Sequence, residues 1–321
     1  MTGGGVGVSA TAGCLMNSEG ILSAGMTSSH GIGLQVSIEE NGELTSSYQG
    51  QSSRSLLPEI PACVSRAVHW AQVTQNPLRV ESQPVDAPVL MTSEGFSPLF
   101  SMVVPSAMTG EKMVRKESFW SDNMGQQVLN PILSIHDNGV LEGGMASGSR
   151  DGEGVPRRKQ NLIEHGRLSG MLWSTRDAAQ QVADGRIDAA SSTGSASSGS
   201  HQSPPSTGCT ELFLTSSKQG KNMDELLQHM GDGYVVNSVM GAHTANPSSG
   251  DFSVTTSSIL KVEGGEIVGS LKQAGLSGNL AKALNGSVVL GSDVRRQGSY
   301  SSGSMHLPDV LMMDGLRINP A

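Results

Sequence analysis

The stretch NMDELLQHMGDGYVVNSVM, residues 222–240, predicts the class of fold that this chain adopts. Its first half has the pattern of a short helix, in which Asn222 is the N-cap and Gly231 follows the last turn. Its second half, from Tyr234 to Met240, is rich in β-branched and apolar residues, which is typical of a strand. A helix that leads directly into a strand indicates a fold in which the two elements are mixed.

Hairpin patterns surround this stretch. Residues 31–38 alternate with period two, and Asn41-Gly42 is a turn signal before a return strand that starts at Leu44. Residues 160–174 and 255–268 show similar patterns about a polar turn. The sequence therefore predicts an α+β fold of antiparallel, β-rich mixed sheets with a few short helices, divided into two domains.

The change from helical to strand periodicity suggests where the domains meet. Helical spacing runs from about Pro61 to Gln75, and a buried strand follows at residues 87–91. A polar, proline-containing stretch separates them. We place the boundary at Pro84, so that residues 1–83 are the remainder of an N-terminal α/β domain and residues 84–321 form a β-rich C-terminal domain.

Four further segments carry weaker patterns. We expect a weakly helical segment over 98–108, a pair of strands within 118–135 and an exposed loop over 138–156. Residues 189–209 are a low-complexity tract of Ser, Gly and Pro, with too few apolar side chains to offset the entropy lost on ordering. We therefore expect this tract to be a flexible loop.

Charge and composition exclude several classes of protein. The chain has 21 Lys and Arg residues against 29 Asp and Glu residues, a net charge of −8, and so lacks the basic footprint of a nucleic-acid binder. No apolar run approaches the roughly 20 residues of a membrane span, and residues 1–5 do not resemble a secretory signal. We therefore expect a cytoplasmic protein with no nucleic-acid or membrane partner.

The residue types that most often carry catalysis form no specific motif. The three cysteines lie far apart in the sequence, and we interpret them as reduced thiols. No two of the eight histidines have the spacing of a helical zinc site. The sequence has no nucleophile elbow, P-loop or dinucleotide fingerprint. Ser258 and Lys261 match the S-x-x-K pattern, but we interpret the match as coincidental because they lie in a predicted strand.

Several segments of the second half, in their order and spacing, resemble the TldD/PmbA family, whose members were once called modulators of DNA gyrase. The resemblance is carried by residues 231–241, SGDFS at 249–253, GGEI at 264–267, SGNL at 277–280 and the closing strand at 307–316. With Asn17–Gly20 it extends from residue 17 to the end of the chain. It implies that the chain begins near the middle of the family's N-terminal domain, and that the 189–209 tract lies within the C-terminal domain.

The resemblance also implies a branch of that family. The TldD branch binds a catalytic zinc through a helical His-Glu-x-x-x-His pair and a later Cys, whereas the TldE (PmbA) branch lacks these ligands. At the matching place this chain reads PLFSMVVP, residues 98–105, with no His, Glu or Cys. It is therefore similar to TldE, and no metal ligand can be assigned to any of its residues.

The expected function follows from that branch. The resemblance implies a non-catalytic subunit, without a cofactor of its own, that pairs with a zinc-bearing TldD-type subunit to form a metallopeptidase acting on unfolded or leader peptides. Two alternatives stay open: an independent metallopeptidase with an unrecognised site, built from distant His residues and Cys209, and a peptide-binding or structural protein without activity. Because scaffolded loops often carry recognition, we expect the peptide groove or partner interface to include Gly241, His243, Asn246, Gly250, Asp251 and Ser253.

Overall fold

The computed structural model of the chain describes residues 2–40, 42–54, 60–78, 83–197, 202–298 and 303–320. Its helices are α1 (Ile60–Val73), α2 (Ser93–Ala107), α3 (Gly110–Val114), α4 (Thr175–Ala183), α5 (Met223–Met230) and α6 (Leu280–Asn285), with a 3₁₀ turn η1 (Ala242–Thr244). Its strands are β1 (Thr2–Met16), β2 (Leu22–Glu40), β3 (Glu43–Ser53), β4 (Val85–Asp86), β5 (Val89–Met91), β6 (Leu133–Asn138), β7 (Lys159–Glu164), β8 (Arg167–Leu168), β9 (Ala196–Ser197), β10 (Ser206–Thr207), β11 (Glu211–Ser216), β12 (Gly233–Met240), β13 (Asp251–Glu263), β14 (Glu266–Leu271), β15 (Ala274–Asn279), β16 (Val288–Gly298), β17 (Ser304–Met312) and β18 (Leu316–Pro320). Within the described ranges, no helix has both the length and the apolar character that crossing a bilayer requires.

The first sheet contains β1, β2 and β3 in that order, and all its strands are antiparallel. The turn between β2 and β3 lies where the sequence predicts it, and Gly42 in this turn has a positive φ of 81°. Asn41, the other residue of the predicted turn signal, lies outside the described residues. Val36 of β2 packs against Ala67 and Ala71 of α1. The predicted hairpin and the predicted helix are both confirmed. Among the described residues no strand pairs with the outer edge of β3, so that edge is open.

The second sheet has the order β4-β18-β15-β13-β12-β5-β17-β11-β6-β7-β8, with β14 paired to β13 and β16 paired to β17. Its neighbours are antiparallel except for two parallel pairs, β12 with β5 and β11 with β17. Helices and mostly antiparallel strands therefore share one mixed architecture. This confirms the predicted α+β class.

The short strand β5 shows where the core lies. Val89 and Met91 belong to the cluster that contains Phe96 of α2, whereas Leu90 belongs to a separate cluster with Leu226 of α5. Because successive strand residues point to opposite faces, α2 covers one face of the sheet and α5 covers the other. All three strand residues are fully buried, and each large apolar side chain buried in this way stabilises the fold by roughly 1.5–3 kcal/mol.

Helix α2 is longer and more regular than the weakly helical segment expected over 98–108. It begins at Ser93 and ends at Ala107, with Pro98 and Pro105 inside it. Proline disfavours a helix interior. Phe100 and other apolar side chains of α2 are nevertheless fully buried, so tertiary packing stabilises a helix that the local sequence disfavours.

The predicted pair of strands within 118–135 is wrong. Residues 115–132 form turns and bends apart from one bridge between Gln127 and Arg167, and a regular strand starts only at Leu133. Part of the backbone of this segment pairs with the β7–β8 hairpin instead. For example, Val128 N donates to Gly166 O at 2.8 Å. Once those polar groups are satisfied by another segment, a local strand pair has no hydrogen bonds left to gain.

The described part of the Ser, Gly and Pro tract makes specific contacts, and residues 198–201 of the tract lie outside the described residues. β9 pairs with β10, and Ala196 N donates to Oδ2 of the buried Asp151 at 3.1 Å. Thr193 Oγ1 accepts from Trp173 N at 2.7 Å. The predicted loop over 138–156 is thus a loop that Asp151 anchors in the interior, and not a wholly exposed one. The flexibility of the tract stays a prediction.

Candidate functional site: a polar groove between β3 and α2

A groove of about 560 Å³ lies between β3 of the first sheet and the N-terminus of α2. Five consecutive residues of β3 form one wall, and α2, β12, β13 and β16 form the others. Since alternate strand residues point to opposite faces, a run of consecutive residues means that the groove follows the open edge of β3. The lining side chains are mostly hydroxyls and amides, from Ser46, Ser47, Tyr48, Gln49, Gly50, Glu94, Ser97, Pro98, Asn237, Ser238, Ser257, Ser258, Gln297 and Gly298.

Three polar atoms of this lining have no hydrogen-bond partner among the described residues: Ser47 Oγ, Gln49 Nε2 and Ser258 Oγ. Their residues are only 8%, 2% and 8% exposed. A buried polar atom without a partner costs about 1–3 kcal/mol, and native structures contain few of them. The groove therefore presents hydrogen-bonding groups that a polar ligand would satisfy.

Thr92 fixes the N-terminus of α2 beside the groove. Its Oγ1 accepts from Gly95 N at 3.3 Å, as an N-cap does, and donates to Asn237 Oδ1 of β12 at 2.8 Å. Gly95 lies so close to β12 that a Cβ at this position would be 2.5 Å from Val236 O. The helix therefore contacts the strand through its backbone, and this contact places Glu94 of the first helical turn in the groove lining.

Arg295 of β16 is surrounded by three carboxylates at this end of the groove. Its Nη1 is 2.6 Å from Glu94 Oε1, and its Nη2 is 3.1 Å from Asp309 Oδ1. Its Nε lies 3.1 Å from Asp293 Oδ2, which is a charge contact without the geometry of a hydrogen bond. Ser93 N also donates to Asp309 Oδ1, at 2.8 Å. One cation thus faces three acids.

Asp309 has a raised pKa, to which burial and the two other carboxylates around Arg295 contribute. Burial raises the pKa of Asp309 to about 6, and Glu94 and Asp293 add to the rise although Arg295 opposes it. Burial acts to lower the pKa of Arg295, but the three carboxylates outweigh burial, so this pKa is raised. Glu94 is the one charged side chain among the described residues that line the groove.

Residues 98–105 of α2 do not provide the donor atoms that a zinc ion needs. Zinc in proteins is bound by Cys, His, Asp and Glu, and residues 98–105, which continue α2 from the groove into the core, include none of these. Leu99, Phe100 and Val103 of this segment are fully buried among apolar side chains. Over the part of the chain that the structure describes, no three side chains of these types converge as a metal site.

The predicted loop over 241–253 is closed by its own hydrogen bonds. Asn246 N donates to Asp251 O at 2.8 Å, and Gly250 N donates to Asn246 O at 2.9 Å. The Asp251 carboxylate accepts from Asn279 Nδ2 at 2.8 Å, and the hydrogen bonds from Ser249 and Asn279 lower its pKa. The structure thus brings Asn246, Gly250 and Asp251 together.

The other three predicted residues occupy the flanks of this loop. Gly241 precedes η1 with a positive φ of 85°, His243 is exposed within η1, and Ser253 is exposed on β13. None of the six predicted residues is among those that line the groove. Their role in a peptide groove or a partner interface stays a prediction.

A second group of ionisable residues holds a loop in place. Glu211 is fully buried and accepts from Ala146 N at 2.7 Å, from His306 Nε2 at 2.8 Å and from Ser304 Oγ. Burial acts to raise the pKa of Glu211, but these hydrogen bonds together lower it. The His306 ring stacks on Phe213 with centroids 3.9 Å apart. Since Ala146 belongs to the 138–156 loop, we interpret this group as an anchor for that loop.

The comparison with known proteins assigns the family. Residues 84–318 match the family described as the PmbA/TldA metallopeptidase C-terminal domain. The chain belongs to this family. The relatives include metalloprotease PmbA of Escherichia coli O157:H7, which is 27% identical over 92% of this chain and 60% of its own length. They also include a metalloprotease TldD homolog of Haemophilus influenzae, 25% identical over 83% of this chain and 55% of its own length.

Solved structures of PmbA/TldD-type proteins show the same architecture. TldE from Thermococcus kodakarensis superposes with a TM-score of 0.86 at 22% identity, over 98% of this chain and 68% of that one. A putative modulator of a DNA gyrase from Thermotoga maritima superposes with a TM-score of 0.80 at 25% identity, over 95% of this chain and 66% of that one. The match to the family model confirms the family expected from the sequence, and these structures confirm the fold. The chain spans about three fifths of the length of the PmbA protein that it matches.

The groove is the part of the site that sequence reasoning missed. Its polar residues are contributed by segments of the chain that are far apart, and each looks like an ordinary solvated strand position when taken alone. Ser258 is buried, but the sequence does not mark it, because Ser253, Thr255, Thr256 and Ser257 of the same strand are polar too. The S-x-x-K match includes this residue, but Lys261 is not in the groove lining and pairs with Glu263.

Proposed function

We propose that this chain is a non-catalytic, TldE/PmbA-type subunit of a peptidase. It pairs with a zinc-bearing TldD-type subunit, and the two form a metallopeptidase that acts on unfolded or leader peptides. Its own part is to supply a wall for an extended peptide and an interface for the partner, while zinc is held by the partner. Membership of the metallopeptidase family supports the activity of the complex.

The composition of α2 is the observation that carries the proposal. This helix starts at the groove, and over residues 98–105 it presents apolar and hydroxyl side chains only. A catalytic zinc needs three protein ligands and leaves one position open for water. Since residues 98–105 supply none of these ligands and α2 offers only Glu94, which is paired with Arg295, the proposal assigns the reacting metal to the other subunit.

The polar groove supports the peptide-binding part of the proposal. Its unpartnered hydroxyl and amide groups suit a ligand with alternating donors and acceptors, which is what an extended peptide offers. We propose the 241–253 loop, with Gly241, His243, Asn246, Gly250, Asp251 and Ser253, as a second contact, either with the peptide or with the partner. The exposed His243 and Ser253 are the members of this loop that a partner would reach first.

We place the complex in the cytoplasm. The three cysteines are thiols that form no disulfide with one another: Cys14 is exposed, and Cys63 and Cys209 are buried. Thiols stay reduced in a reducing compartment.

The test is to purify the chain alone and together with a relative that carries the His-Glu-x-x-x-His pair. We expect stable co-purification, zinc only in the partner, and hydrolysis of an unstructured peptide only by the pair. The matched control is the pair in which the partner's two His residues are replaced by Ala, and this pair is expected to assemble but not to hydrolyse. Stoichiometric zinc in the isolated chain, with hydrolysis that a chelator abolishes, would instead establish an independent metallopeptidase.

A further inference from the structure

The lining of the groove between β3 and α2 indicates which kind of ligand the groove binds. This adds detail to the proposed function. The walls of the groove offer two kinds of unused hydrogen-bonding group. At alternate residues within 46–50, the outer edge of β3 provides backbone N–H and C=O groups that no described strand pairs, since the groups between them face β2. The hydroxyls of Ser47 and Ser258 and the Nε2 of Gln49 are buried without a partner among the described residues.

An extended peptide fits this arrangement better than other polar ligands do. A strand added to a sheet edge satisfies the edge's backbone groups in register. A phosphate or carboxylate ligand would need a cation, and no Lys, Arg or His is among the described residues that line the groove. Tyr48 is the one aromatic ring in this lining, so the groove offers little surface for stacking a base.

The charges at the α2 end of the groove select the side chain of the peptide. Glu94 lines the groove there, and the guanidinium that faces it, Arg295, is shared with Asp293 and Asp309. Three carboxylates around one guanidinium leave an excess of negative charge. Asp309 is buried and Glu94 and Arg295 are about four-fifths buried, so solvent screens their charges less than it would at the surface, whereas Asp293 is mostly exposed.

We infer that the groove binds the main chain of an extended peptide and places a basic side chain of that peptide beside Glu94. The peptide's N–H and C=O groups pair with the edge of β3 and with the hydroxyls of Ser47 and Ser258. The preference for a basic residue comes from the carboxylates around Arg295. The inference rests on the proposed peptide-binding role of this chain, and it adds the position and the charge of the peptide.

The experiment measures fluorescence anisotropy with the full chain and no partner. The probe is an acetylated peptide of about ten residues, roughly 33 Å when extended, made of Ala, Ser and Gln with a central Lys and a C-terminal fluorescein. Two further peptides carry norleucine or Glu in place of Lys. We expect the Lys peptide to bind about tenfold more tightly than the norleucine peptide and the Glu peptide to bind most weakly.

Two variants assign the effect to the groove. Ser258→Ala is expected to weaken binding of the Lys and norleucine peptides alike, by about fivefold, and to leave the melting temperature equal or higher because an unpartnered hydroxyl is removed. Glu94→Gln keeps an acceptor for Arg295 and is expected to abolish the difference between the Lys and norleucine peptides. The control is Ser134→Ala, since Ser134 lies outside the groove and accepts from His165 N at 3.0 Å.

The inference is overturned by any one of three results: no peptide binds, the Lys and norleucine peptides bind within about twofold of each other, or Ser258→Ala binds like the Ser134→Ala control. These results are separate from those that test the proposed function. A chain that binds the Lys peptide but never assembles with a zinc-bearing relative contradicts the subunit proposal alone. A chain that assembles but shows no charge preference contradicts this inference alone.

Discussion

Arg295 Nη1 lies 2.6 Å from Glu94 Oε1, although 201 residues separate the two in the sequence. The contact joins β16 to the first turn of α2 and fixes one end of the groove. Both side chains are about four-fifths buried. A charge pair in such a place costs free energy to desolvate, so its main effect is to fix how the two elements are placed.

Removing Arg295 is expected to destabilise the fold strongly. Arg295→Met leaves Glu94 and Asp309 without their counter-charge, and we expect the free energy of unfolding in urea to fall by about 3 kcal/mol. The matched control is Arg317→Met, because Arg317 lies 3.9 Å from Asp86 with both side chains mostly exposed. That control is expected to change stability by less than about 1 kcal/mol. Equal losses for the two variants would contradict the role given to Arg295.

The elevated pKa of Asp309 predicts an unusual dependence of stability on pH. Burial raises this pKa from 3.8 in the unfolded chain to about 6 in the folded chain, so the folded state holds the extra proton between these values. The contribution of Asp309 to the free energy of unfolding therefore falls as pH rises through this window and is constant above it. The full decrease is about 3 kcal/mol.

The measurement compares the wild type with Asp309→Asn by urea unfolding between about pH 4 and about pH 7. Groups that titrate alike in both proteins cancel in the difference. The wild type minus D309N difference is expected to decrease as pH rises. A difference that is constant or increases would show that Asp309 is already ionised in the folded chain at the lower pH.

Gly95 is expected to tolerate no side chain. Ala is the better helix former by about 1 kcal/mol, but a Cβ at Gly95 would lie 2.5 Å from Val236 O, a backbone atom. The helix would have to move, and we expect Gly95→Ala to reduce the free energy of unfolding by about 2 kcal/mol. Gly148→Ala is the control, because the nearest atom there is 3.6 Å away, an ordinary contact. If the Gly95→Ala variant is as stable as this control, the close backbone contact between α2 and β12 is contradicted.

Glu211 is expected to control the mobility of the 138–156 loop. Glu211→Ala removes the acceptor for Ala146 N and for His306 Nε2, and we expect a loss of about 3 kcal/mol in unfolding free energy. Limited proteolysis within the loop is expected to become faster, because its backbone loses an anchor. The control is Glu142→Ala, an exposed residue of the same loop. Unchanged cleavage in the Glu211 variant would refute the anchoring role.

Local patterns predicted the elements whose causes are local. The helix after Asn222 forms with a capping box in which Asn222 Oδ1 accepts from Glu225 N and the Glu225 carboxylate accepts from Asn222 N. The hairpin at Gly42 follows from a turn that needs a positive φ. In both cases the residues that specify the structure are within a few positions of one another, and the sequence displays them together.

Predictions failed where a distant segment satisfied the backbone. A pair of strands was expected within 118–135, but the N–H groups of Gly125, Val128 and Leu129 donate to the β7–β8 hairpin instead. Helix α2 was expected to be weak, yet packing against β5 and β12 keeps it regular through two prolines. Neither partner can be read from the segment itself, since long-range contacts override local propensity.

The sequence by itself determined the α+β class, the hairpins with their turns, and the segments that place the chain among PmbA/TldD proteins. The tertiary structure alone decided where the polar groove lies, because Ser47, Glu94, Ser258 and Gln297 come from four separate elements. The tertiary structure also determines which buried hydroxyls have no hydrogen-bond partner among the described residues, and it places the Arg295 guanidinium beside three carboxylates. The reason is physical: hydrogen-bond satisfaction and charge balance depend on neighbours in space, and the order of residues along a chain does not state them.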